Sequence, residues 1–141
     1  MSYFEMFVAV LAVVLFSTVV LLMNRTMLEQ NDLLINASTY MQASHLSHSI
    51  LDEVDSKLFS KQLKFAQIKT TYTTTRTYNL PHTGGVWTAQ ISAVDCDSLG
   101  IPLTTPVTNN IYVRVLVRTS TTGLKNPVLM QRVYTKTNLN I

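Results

Sequence analysis

Neither glycine nor proline occurs before Pro81, so no strong helix breaker interrupts the first 80 residues. A single helix can run through most of that stretch. Charge is scarce as well: charged residues make up 13% of the chain against 47% apolar, whereas charge in soluble domains is typically about 25%. The shortage is concentrated between Met6 and Met23, a run with no charged residue whose only polar members are Ser17 and Thr18. Cysteine is limited to Cys96, which excludes an intramolecular disulfide and a cysteine zinc site. Basic clusters are missing too. The net charge is only +3, and Arg114, Arg118 and Arg132 are spread among strand-like residues with no aromatic interleaving, so no nucleic-acid partner is expected.

At 141 residues the chain has room for about one domain and an appendage. The appendage is the apolar run. Eighteen helical residues rise by about 27 Å, close to the hydrocarbon thickness of a bilayer. A secretory signal peptide would carry a basic start and small residues at a cleavage site. Here Glu5 precedes the run and Asn24-Arg25-Thr26-Met27 follows it. The expectation is a helix anchored in a membrane or packed within an assembly.

From Arg25 to about Lys64 the pattern becomes amphipathic. Ala43, Leu46, Ile50, Val54 and Leu58 recur at steps of three and four and so share one stripe. Asp52, Glu53 and Asp55 precede Lys57, Lys61 and Lys64, an order that suits side-chain pairing along the helix and its dipole. The helix is expected to end near Lys64.

After Lys69 the composition changes: 16 threonines lie from Thr70 onward, among valines and tyrosines, residue types that fit a pleated sheet. Four strands are expected, over Thr71–Leu80, Val86–Val94, Ile111–Ser120 and Val128–Thr137. The first pair is joined by Pro81-His82-Thr83-Gly84-Gly85 and the last by a turn through Gly123 and Asn126-Pro127. Trp87, Ala89, Ile91 and Ala93 alternate onto one face. The fold class is therefore α+β: one long N-terminal helix, apolar in its first half and amphipathic in its second, packed on a four-stranded antiparallel sheet. The chain divides into an apolar helix (1–24), its amphipathic continuation (25–68) and an antiparallel β domain (69–141).

Signals of chemistry are faint. Asp95-Cys96-Asp97-Ser98-Leu99-Gly100 loosely suggests a calcium loop but lacks the later bidentate acid, so an Asx-rich turn is the preferred reading. His45 and His48 share a helix face with no third ligand in view. Asn24-Arg25-Thr26 and Asn36-Ala37-Ser38 fit the N-glycosylation pattern, yet both fall in expected helix. No nucleophile elbow and no phosphate-binding glycine loop is present. Neither enzymatic activity nor a cofactor or metal is expected.

The order of features, a short Met1-Ser2-Tyr3-Phe4-Glu5 start, an apolar helix, an amphipathic continuation and an antiparallel sheet, resembles a mature type IV pilin or a pseudopilin of type II secretion. The resemblance implies a structural subunit of a helical filament of identical chains. The apolar helices would form the filament core and the sheets its outer layer. It also implies that Met1 is a processed and often methylated amino terminus. Glu5 would then be the carboxylate that pairs with a neighbour's α-amino group, and Phe7, Val10, Leu11, Val14, Leu15, Val19 and Leu22 would be core-facing positions. Such a chain waits in the inner membrane, is handled by an assembly machinery, and ends in a filament at the cell surface. The alternative is a single-pass anchored protein with a β-rich binding module.

Overall fold

The computed structural model describes residues 2–80, 85–105 and 110–136. Its elements in chain order are helix α1 (Tyr3–Phe59), a 3-10 turn (Phe65–Gln67), the short helix α2 (Ile68–Thr71), and strands β1 (Thr74–Leu80), β2 (Gly85–Asp95), β3 (Tyr112–Ser120) and β4 (Val128–Thr135). The absence of glycine and proline has the expected result, 57 residues of unbroken α-helix. By contact the chain forms two compact units, Met1–Ser38 and Thr39–Ile141. The dividing point lies inside α1.

In the second unit the strands form an antiparallel meander in the order β1-β2-β3-β4, as the sequence leads one to expect. Register places Arg76 opposite Ala89, Ala89 opposite Thr119, and Thr119 opposite Val128, so one row of alternating side chains crosses all four strands on the helix side. The next row runs Thr74, Ile91, Val117, Met130. The core lies between this face and the later turns of α1. Ile50, Leu51, Val54 and Leu58 from the helix are buried with Ala89, Ile91, Val113, Val115 and Val117 from the sheet. A smaller cluster joins Ala43, Trp87 and Val128: the helix presents only a methyl at residue 43, which leaves space for an indole.

One polar contact sits inside this interface. Ser47 Oγ donates to the Ala43 carbonyl at 2.8 Å and shares a hydrogen bond of 2.8 Å with Thr119 Oγ1. Since the serine proton is already committed, the threonine hydroxyl is the donor to Ser47. Both groups are buried and both are satisfied, as buried hydroxyls need to be.

The helix ends at Phe59 rather than near Lys64. Lys61 adopts a left-handed conformation (φ 59°), a stop usually made by glycine, and Leu63 N–H returns to the Lys57 carbonyl at 3.0 Å. Burial explains the early stop. By leaving the helical path the chain carries Leu63, Phe65, Ile68 and Tyr72 into the core, covering its end with four large side chains that a straight continuation would leave in water. Helix α2 takes in Thr71, the expected start of the first strand, so β1 begins at Thr74. In the loop after β2, Gly100 is left-handed (φ +81°), and a Cβ there would come within 3.0 Å of Val133 Cγ2. The position requires glycine both for its backbone and for the close approach.

Candidate assembly site

The segment preceding and forming the apolar run is the first place to look for function. Ser2 and Glu5 form a reciprocal cap on α1: Ser2 N–H donates to Glu5 Oε2 at 3.0 Å, and Glu5 N–H donates to Ser2 Oγ at 3.4 Å. This is a capping box, serine at the N-cap and glutamate three residues on. The pattern Ser2-Tyr3-Phe4-Glu5 is legible in the sequence, where the resemblance assigns the carboxylate only to pairing with a neighbour's α-amino group. The cap engages Oε2 alone, and a carboxylate has about four acceptor sites, so the same group can cap the helix and meet a neighbour's cation. Met1 lies outside the described residues.

Phe7, Val10, Leu11, Val14, Leu15, Val19 and Leu22 are all more than half exposed. At 100° per residue they fall within about half of the helix circumference. The other half is equally open: Val13, Phe16 and Met23 are also more than half exposed. The helix is apolar all round over this stretch, and none of its most apolar 18-residue window is buried within the chain. A helix of that kind belongs in lipid or inside a bundle. Ser17 and Thr18 return their hydroxyls to carbonyls one turn back, Val13 at 2.8 Å and Val14 at 2.6 Å, so even the two polar residues present no free donor to lipid.

The strongest charged constellation lies elsewhere, where α1 meets the edge strands. Glu53 accepts from Arg76 Nη1 at 2.7 Å, from Lys57 Nζ at 2.6 Å and from the Tyr72 hydroxyl at 3.2 Å. Arg132 of β4 bonds Asp52 at 3.1 Å and also Asp55. Acids of the helix thus reach across to arginines of β1 and β4 instead of following the Lys61 and Lys64 series, which falls beyond the helix end. Of the expected pairs along the helix, Glu53 to Lys57 is present. The two arginines point inward from the edge strands, a placement that also discourages further strands from adding to those edges.

Hydrogen bonding from Arg76, against the opposing effect of partial burial and with help from Lys57, lowers the Glu53 pKa from the ordinary 4.5 to about 2. A depressed carboxylate pKa contributes stability that is present above the ordinary value and is lost as pH falls through the folded one. With a side chain about a third open to solvent, the contribution is about 1–2 kcal/mol after screening. Acid titration of the folded unit, followed by thermal melting, should therefore show a loss between about pH 4.5 and 2 that is much smaller in Glu53→Gln. An equal loss in the variant would assign the acid sensitivity to other carboxylates.

The remaining candidates resolve into structure. Asp97 Oδ1 accepts from Leu99 N–H at 2.9 Å and Ile101 N–H at 2.8 Å, an Asx turn, while Asp95 is engaged by Lys69 at 2.7 Å. The two acids are therefore employed separately. Cys96 is buried, and burial pushes its thiol pKa up. His45 and His48 are exposed on α1, and no group of three metal-binding side chains occurs among the described residues. No family model matches the chain, and neither a curated protein nor a solved structure matches it.

Proposed function

We propose that this chain is the structural subunit of a type IV pilin-like filament, held in a membrane by the apolar part of α1 until that helix packs against copies of itself. The observation that carries the proposal is the run Met6–Met23, charge-free and open to its surroundings around its whole circumference, on the same helix whose later turns pack on an antiparallel meander. The long apolar-then-amphipathic helix and the four-stranded sheet are compatible with a pilin layout. Glu5, at the start of the run, supplies a charge that apolar surroundings tolerate only when paired.

Burying such a helix in a filament gains little over lipid that is equally apolar, so the net gain has to come from close packing and from charge pairing. Glu5 then selects register more than it adds stability, because a misplaced subunit leaves two unpaired charges in an apolar core. The test is electron microscopy of the full chain released from the surface of cells that express it with an assembly machinery. Uniform filaments built from this chain are expected. A chain found only in the membrane fraction would favour the single-pass anchor with a β-rich binding module.

A further inference from the structure

Beyond the bilayer-length run, α1 carries a second uncharged face. Asn24, Met27, Asn31 and Leu34 are spaced by three and four, a heptad seam with asparagine at one position and an apolar residue at the other. Ser38 continues the asparagine position. The charged residues that follow the apolar run in this unit avoid the seam: Arg25 and Asp32 lie one residue past the asparagines, and Glu29 lies on the far side, ion-paired with Arg25 at 3.1 Å.

Met27 and Leu34 are 66% and 68% exposed, and Leu28 and Ile35 widen the same apolar face. These residues begin about 6 Å past the end of the run, at 1.5 Å per residue, so a bilayer filled by Met6–Met23 does not cover them. Neither Asn24 nor Asn31 has a side-chain hydrogen bond to any described residue, and an asparagine amide carries donors and an acceptor, which makes it complementary to another asparagine. An apolar partner would leave these amides unsatisfied, and a charged partner would find no opposite charge on the seam. A second copy of the same helix satisfies both positions.

We propose that, in the membrane, two copies of this chain pair in parallel and in register along the Asn24, Met27, Asn31 and Leu34 face, asparagine meeting asparagine. Register follows from anchoring, because identical apolar runs hold both copies at the same depth. Two heptads alone are marginal in water, but tethering in one bilayer makes the encounter effectively intramolecular. Buried asparagine at this seam position favours two strands in a single register at some loss of stability. The pair rests on the bilayer-spanning part of the functional reading and not on the filament, so a chain that never forms filaments leaves it standing.

Disulfide trapping tests it. The full chain is reconstituted in phosphatidylcholine vesicles without any assembly machinery, with Asn24→Cys, Asn31→Cys, Glu29→Cys or Leu33→Cys introduced singly. The unsubstituted chain serves as control, since its Cys96 is buried. Under mild oxidation Asn24→Cys and Asn31→Cys should form covalent dimers roughly tenfold faster than the two far-side variants. Asn31→Asp, which sets like charges against each other, should slow dimer formation at Asn24→Cys by a similar factor, with helicity unchanged by circular dichroism. Equal rates on both faces would overturn the proposal, as would a seam that links only when Asn24→Cys and Asn31→Cys chains are mixed.

Discussion

Glu5→Ala and Glu5→Gln should both abolish filaments while leaving the chain in the membrane. The two substitutions separate the roles that the N-terminal geometry superimposes. Glutamine preserves the capping hydrogen bond to Ser2 N–H but removes the charge, and alanine removes both. The cap stabilises the first turn by about 1 kcal/mol, whereas an ion pair broken inside an apolar core leaves a charge that costs about 3–5 kcal/mol. Carried by each subunit contact, that is roughly a 10²- to 10⁴-fold weaker association step. Counting filaments by electron microscopy against the amount of membrane-bound chain measures the effect. If Glu5→Gln assembles normally, the carboxylate is a cap and the register argument fails.

Trp87→Ala should be the most damaging change in the β unit, lowering stability by about 3–5 kcal/mol. Trp87 is 1% exposed and packs with Ala43 and Val128, with Leu46, Tyr78, Leu124 and Met130 around it. Residue 43 cannot refill the space, because its side chain ends at a methyl, and the facing strand is held in register on both sides. For a unit of about 100 residues the loss corresponds to a melting temperature lower by about 15–25 °C. Phe16→Ala, at a site 72% exposed, is the matched control. It removes comparable apolar surface in a segment that makes no part of this core, and the melting of the β unit should stay within a degree or two of the parent. Thermal unfolding followed in the strand region of the circular dichroism spectrum distinguishes the two. A drop of only a few degrees for Trp87→Ala would mean that the site collapses around the missing ring.

Much of the architecture was written in local sequence. A charge-free run without glycine or proline can hardly be anything but helix, and alternation along Trp87 to Ala93 and Val113 to Val117 identified two strands together with their buried faces. The hairpin from β1 to β2 and the meander order followed from the turn-forming residues between them. Local sequence determined these features because each depends on periodicity and on the backbone preferences of a few neighbouring residues.

Tertiary structure decided the rest. The stop at Phe59 was illegible because the left-handed residue there is Lys61, not glycine, and what holds it is the burial of Leu63 and Phe65 in a core shared with strands β2 and β3. Ser47 and Leu51, missed by the apolar stripe, are core residues because Thr119 and Tyr134 meet them from the sheet, at 2.8 Å through the Ser47 hydroxyl and 3.3 Å to the Leu51 carbonyl. The acids of α1 precede a series of lysines, and Glu53 does pair with Lys57, yet Glu53 and Asp55 also take arginines from opposite edges of the sheet. Partners so distant in sequence are chosen by strand register, which no local pattern specifies. The apolar run itself is the opposite case: its helix is determined by composition alone, and none of its most apolar window is buried among the described residues.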